Sequence, residues 1–238
     1  SQRCIMLMKK IGIFFTGFGM IGRVHALAYR ELSHYYPKSL PDVALAGVCT
    51  SSVNSAMRAA KEAGIQFWTN QIDKLVNHQD VDVIDCCTPN YMHYTVAIAA
   101  IQAGKPVLME SPLALNSEQA EKIAHAARKE GVRVGMIFNY RFLPAILHAR
   151  QLIEEGFLGQ VYQFQIEYLH TGYQNSSRPM GRKLRKAQSG GGALVDLGSH
   201  IIDMVRYLMG DFSQVLATTK TFITQRPIPI RVYIDGAG

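Results

Sequence analysis

The sequence predicts an α/β protein: a doubly wound parallel sheet over residues 8–139, then an α+β domain over 140–238 whose mostly antiparallel sheet is incomplete. Three observations carry this expectation. Short apolar runs alternate with helical patterns through the first half; a glycine turn joins the first run to the first helix; past Asn139 the pattern changes to a strand-like alternation. Strict alternation of strand and helix requires right-handed crossovers, which build a parallel sheet covered on both faces.

The apolar runs 10–15, 43–49, 83–87, 106–109 and 133–138 read as strands, because a parallel strand buried on both sides needs no polar alternation. Between them, 21–32, 53–63, 92–103 and 117–129 carry alanine-rich or amphipathic spacing, and Asn116 with Gln119 forms a capping pair ahead of the last helix. A helix over 144–154 opens the second domain. It is followed by a half-exposed antiparallel strand over 161–170, a loop, and a helix over 193–209. The tail, 214–234, reads as strand broken by Pro227 and Pro229, and its lack of a closing element suggests a truncated domain.

With 48% hydrophobic and 18% charged residues, the chain has the balance of a globule with a buried core and not of a disordered segment. A net charge of +7 suits an anionic partner, whether nucleic acid, acidic membrane or a phosphorylated cofactor. No apolar stretch approaches the roughly 20 residues of a membrane span. The start Met8-Lys9-Lys10 resembles a secretory signal, but the apolar run after it is short and leads straight into the glycine turn, so residues 1–7 read as a leader or tag remnant. Cys4, Cys49, Cys86 and Cys87 lack paired metal spacing, and buried free thiols suit a reducing cytoplasm. Arg178, Arg182, Lys183, Arg185 and Lys186 form a basic loop; with no aromatic stacking platform beside it, a solvated loop is expected and not a nucleic-acid site.

In Gly17-Phe18-Gly19-Met20-Ile21-Gly22, a strand delivers the chain into a G-x-G-x-x-G turn that opens a helix. Glycines there permit a tight turn and close approach of a pyrophosphate, and the helix N-terminus is the anion site, so a dinucleotide is the expected ligand. An acid at the carboxyl end of the second strand would grip the ribose 2′-hydroxyl of NAD. Asp42 has about the right spacing but precedes that strand, which at about 20 Å long puts it at the wrong end. Thr50, Ser51 and Ser52 stand at the right end, and neutral hydroxyls leave room for a 2′-phosphate; NAD or NADP is expected, with NADP favoured.

The glycine turn, Thr88-Pro89-Asn90-x-x-His93, Gly104-Lys105-Pro106-Val107 leading to Glu110-Ser111-Pro112, Asn139-Tyr140-Arg141-Phe142-x-Pro144, and the run from Gly190 to His200 occur in this order along the chain. Together they resemble the Gfo/Idh/MocA family of glucose-fructose oxidoreductases and inositol dehydrogenases. The resemblance implies a Rossmann domain and a second-domain sheet through which such proteins form homodimers or homotetramers. It also implies that Gly17, Gly19 and Gly22 hold pyrophosphate, that Thr88, Pro89, Asn90 and His93 line the cofactor, and that Glu110 meets the nicotinamide ribose; Phe18, Met20 and Ile21 of the turn, Thr50 and Ser51 at the end of the second strand, Ser111 and Asn139 are expected beside them.

The substrate implied is a sugar or cyclic polyol. Asp196 and His200, four residues apart on a predicted helix, share one face. They match the family's acid–imidazole pair, in which His200 exchanges the hydroxyl proton and Asp196 orients it or binds substrate hydroxyls. Tyr140, Arg141, Tyr168 and His170 are expected substrate contacts. The family's catalytic lysine is replaced by Ser111, and Lys105 lies about 20 Å away along extended chain. Loss of one preorganised electrostatic group costs on the order of 100- to 1,000-fold in rate. Two readings follow: an oxidoreductase with Ser111 at the catalytic position, or a cofactor-binding sensor. No metal site is expected, because nothing offers Asp196 and His200 further ligands.

Overall fold

In β1 (Ile11–Thr16), Ile13 and Phe15 pack on one face of the sheet and Phe14 on the other, since successive strand side chains point to opposite faces. The same two-sided burial runs through the first of the two units in this computed structural model, which describes residues 10–36 and 40–229. That unit ends at Ile137 and the second begins at Phe138.

After β1 come α1 (Met20–Tyr35), β2 (Val43–Cys49), α2 (Val53–Ala63), β3 (Phe67–Thr69), α3 (Ile72–Val76), β4 (Val83–Cys86), α4 (Asn90–Gln102), β5 (Val107–Glu110), α5 (Ser117–Glu130) and β6 (Val134–Ile137). The six strands are parallel in the order β3-β2-β1-β4-β5-β6. This is the Rossmann arrangement, in which strand order reverses between β1 and β4 and ligands gather at the carboxyl ends beside that reversal. Alanines of α1 and α2 cover one face with Ile13, Phe15 and Val48; α3, α4 and α5 cover the other with Phe14, Ile84, Val107 and Met109. Small residues on the helices let the backbones sit close to the sheet.

The expected elements of this unit form with ends shifted by at most three residues, and the α/β class is borne out. β3 and α3 are additions, at three and five residues too short to show a period.

The second unit starts with a 3-10 turn (Asn139–Phe142) and α6 (Pro144–Glu154), where Pro144 occupies the first turn and lacks only an amide that would have no helical partner. Then come a short α7 (Lys186–Ser189), a π-helical turn (Leu194–Gly198) and α8 (Ser199–Met209). The continuous helix expected over 193–209 is therefore an α-helix entered through a wider turn. The strand expected over 161–170 does not form, nor does the part of the 214–234 strand within the described residues; residues 230–234 lie outside them. The reason is that a strand exists through its ladder, and among the described residues neither segment joins one; the 214–229 part accepts a backbone bond from Met180 at Pro227 that does not extend into a ladder.

Candidate functional site

The first unit's site is built by the turn that joins β1 to α1. Gly17 has φ +79°, a left-handed conformation, and a Cβ there would lie 2.7 Å from the Cys87 carbonyl oxygen, so only glycine fits. Around Gly19 the opposite holds: a Cβ would meet no heavy atom within 4 Å. That open cradle beside the N-terminus of a 16-residue helix fits a diphosphate, with Gly19 as the helix N-cap. Phe18 turns inward, its ring edge-on to Phe15 at 5.4 Å, so only its backbone is available, whereas Met20 and Ile21 are exposed.

β2 ends at Cys49, which sets Thr50, Ser51 and Ser52 at its carboxyl end and Asp42 at the other. The hydroxyls form a small network: the Ser52 side chain caps α2 by accepting from the Ser55 amide, and Thr50 Oγ1 lies 2.5 Å from Ser55 Oγ. At the end of β4, Thr88 Oγ1 is 3.2 Å from Cys86 Sγ, Pro89 is the N-cap of α4, and Asn90 opens that helix.

His93, expected to line the cofactor, is buried between two backbone carbonyls. It is 1% exposed, and the carbonyl oxygens of Pro112 and Thr88 lie 2.6 Å from Nδ1 and 2.9 Å from Nε2. It ties the end of β4 to the turn after β5. Glu110 closes β5, its carboxylate accepting from the Ser111 amide at 3.3 Å, and the Ser111–Pro112 peptide is cis.

A group of residues that sequence reasoning missed lies beneath this turn. His25 of α1 has its Nδ1 3.0 and 3.1 Å from the two oxygens of Asp85 in β4, and its Nε2 3.0 Å from Glu110 Oε1. Cys87 Sγ donates to Asp85 Oδ1 at 3.2 Å and lies 3.3 Å from His25 Nδ1. Asp85 has no exposed surface. Burial opposes charge on His25, but hydrogen bonds to Asp85 and Glu110, with their charges, outweigh it and raise the imidazole from 6.5 to about 9. Burial and the Asp85 carboxylate push the Cys87 thiol and the Tyr29 hydroxyl up, so both stay neutral.

Ligand atoms of His25, Asp85 and Cys87 lie within 4.8 Å of one another, a closeness that the hydrogen bonds among the three account for. The signal in the sequence was an acid inside the apolar run 83–87, since a buried carboxylate demands a partner.

In the second unit, Asp196 lies in the π turn and His200 in the first turn of α8. The wider turn changes the spacing argument, because i→i+5 bonding places residues four apart short of one full turn. Asp196 accepts from Lys183 Nζ at 2.7 and 3.1 Å, so a cation of the basic loop sits on it. The His200 ring packs against Tyr140 at 5.1 Å and edge-on to Phe138 at 5.7 Å, and the Tyr140 and Tyr168 hydroxyls are 2.8 Å apart. Arg141, expected to contact substrate, donates through Nε to buried Asp203 at 2.8 Å, and its guanidinium stacks on Tyr207 and Phe138. His170 Nδ1 accepts from the Gly172 amide at 2.9 Å, and Asn139 is exposed in the 3-10 turn.

Residues 11–138 match the family described as GFO_IDH_MocA, an oxidoreductase family with an NAD-binding Rossmann fold, and residues 146–235 match the GFO/IDH/MocA C-terminal domain. Levoglucosan dehydrogenase of Pseudarthrobacter phenanthrenivorans is 32% identical over 221 residues, which are 93% of this chain and 57% of that protein. The NADP-dependent scyllo-inositol 2-dehydrogenase of Bacillus subtilis is 30% identical over 220 residues, 91% of this chain and 55% of that one. Among solved structures, levoglucosan dehydrogenase in complex with NADH and levoglucosan superposes with TM-score 0.89 at 32% identity, covering 92% of this chain and 59% of that chain. The chain thus spans little more than half the length of these relatives.

Proposed function

The chain belongs to the Gfo/Idh/MocA oxidoreductase family, and on that premise we propose that it is an NAD(P)-dependent oxidoreductase interconverting a secondary alcohol and a ketone of a sugar or cyclic polyol. The observation that carries the reading is the glycine turn, with its open space at Gly19 and a helix N-terminus behind it. When bound, the nicotinamide supplies the hydride acceptor or donor. Gly17, Gly19 and Gly22 hold the diphosphate through backbone amides, Thr88, Pro89 and Asn90 flank the coenzyme, and Glu110 takes the nicotinamide ribose. Thr50 and Ser51, with no acid at the end of β2, favour NADP over NAD.

The second unit supplies proton transfer. A ring nitrogen of His200 receives the proton of the substrate hydroxyl in oxidation and returns it in reduction, and Asp196 orients the substrate. Tyr140 and Tyr168 supply hydroxyls for a polyol. Lys183 pairs with Asp196, which sets a cation beside the acid of this unit. Buried thiols at Cys49 and Cys86 suit a reducing cytoplasm, and no helix among the described residues is long and apolar enough to cross a membrane. A homodimer or homotetramer is the assembly the family likeness supports, checked by light scattering.

Ser111 favours a second reading, a coenzyme-binding sensor that has lost turnover. Fluorescence titration with NADH and NADPH tests the coenzyme, and a polyol screen with wild type and Ser111→Lys separates the readings. If lysine is the missing partner, the substitution raises kcat by on the order of 100-fold. High wild-type turnover with no gain from lysine refutes the role given to that position, and no binding of either reduced coenzyme refutes the whole reading.

A further inference from the structure

His25 links three pieces of the coenzyme-binding end of the sheet. Its ring leaves α1, the helix that begins at the glycine turn; Nδ1 meets Asp85 in β4 and Nε2 meets Glu110 at the carboxyl end of β5. β1 and β4 are the strands that flank the reversal in strand order, where ligands of such sheets gather. Asp85 has no exposed surface and the His25 side chain is 16% exposed, so the link is sealed from water on the Asp85 side. On the other side Glu110 keeps 21% of its side chain exposed, with one oxygen on the ring and the other accepting from the Ser111 amide. A neutral imidazole carries one N–H and can serve only one carboxylate, while the imidazolium serves both.

We propose that His25 is a coenzyme-positioning residue: as the imidazolium bridging Asp85 and Glu110, it holds the Glu110 carboxylate in the orientation that receives the nicotinamide ribose. The proposal rests on the dinucleotide reading of the site and adds to it a residue and a regulation by pH.

The charged or titratable groups facing the ring are Asp85 and Cys87 from β4 and the residue after it, Glu110 from β5, and, through Asp85, Tyr29 from α1. Cys87 and Tyr29 remain neutral, so the ring itself is the group that changes state, at about pH 9. Above that pH, one carboxylate loses its donor and both lose their cation, at the end of the sheet where the coenzyme is proposed to bind. Proton and coenzyme therefore assist each other, and the coupling is reciprocal.

The test is the affinity of the full chain for NADH and NADPH, read by fluorescence between pH 7 and 10.5, in wild type, His25→Gln and Glu110→Gln. Wild-type affinity is expected to fall by on the order of tenfold across pH 9. His25→Gln should bind weakly at pH 7 with no such step, and Glu110→Gln should lose most of the step while keeping its fold. A flat wild-type profile, full affinity in His25→Gln, or an undiminished step in Glu110→Gln overturns the proposal and leaves coenzyme binding standing. Absence of binding at pH 7 overturns the coenzyme reading itself. Should His25→Gln fail to fold, the wild-type profile and Glu110→Gln still decide.

Discussion

Asp85 is a carboxylate with no exposed surface, and a buried charge is tolerated only where a partner and hydrogen bonds offset its lost hydration. His25 is that partner, which makes stability without coenzyme depend on pH. The ring is raised from 6.5 to about 9, so its contribution is complete below about 6.5 and is lost as pH rises through about 9. A raise of that size corresponds to roughly 3 kcal/mol. Urea unfolding at pH 7 and pH 10 should show that loss in wild type and not in His25→Gln; an equal loss in the variant would mean other groups carry it. At this scale the sequence revealed the turn of Gly17, Gly19 and Gly22 between β1 and α1, whose tightness follows from spacing and residue type. It did not reveal His25 with Asp85, which meet only after β4 is laid beside β1 and α1 is packed on the sheet. Nor could residue type alone tell that His93 lies between the carbonyls of Thr88 and Pro112, or that Arg141 pairs with Asp203.

The elements that were legible had both a period and a terminus. α2 runs over Val53–Ala63 as expected, with Ser52 and Ser55 exchanging a capping box at one end and Gly64 in the left-handed conformation at the other. α5 starts after Asn116, whose side chain accepts from the Gln119 amide at 2.9 Å. β3 and α3 lacked such marks, and the π turn before α8 arises from hydrogen-bond register, which apolar spacing does not encode. Because Ser52 satisfies an amide that would otherwise lack a partner, Ser52→Ala should lower stability by about 1 kcal/mol in denaturant unfolding, and Ser52→Thr should recover most of it. An unchanged midpoint in Ser52→Ala would show that water replaces the cap at no cost.

Across the whole molecule, apolar burial is unevenly divided. Two clusters sandwich the first unit's sheet, whereas in the second unit the buried apolar side chains among the described residues are Met204 and Leu208. Tyr162, Leu169, Leu216 and Phe222 stand more than four-fifths exposed there, on segments without a ladder. Those segments read as strands because alternation records which side chains a sheet would bury, and it says nothing of whether a pairing strand is present. Local opening free energy follows buried apolar contact and protected backbone bonds, so hydrogen exchange should divide along the same line. Amides of β1, β4 and β5 should exchange slowest, and those of 161–170 and 214–229 at nearly the rate of free peptide. Coenzyme should then add protection where its proposed contacts lie, at the glycine turn and the ends of β4 and β5, since a ligand stabilises what it binds by about 2.7 kcal/mol at 100-fold excess over Kd. Slow exchange across 161–170 in the free protein would mean that this segment has found a pairing partner after all, and the division of stability drawn from its exposure would be wrong.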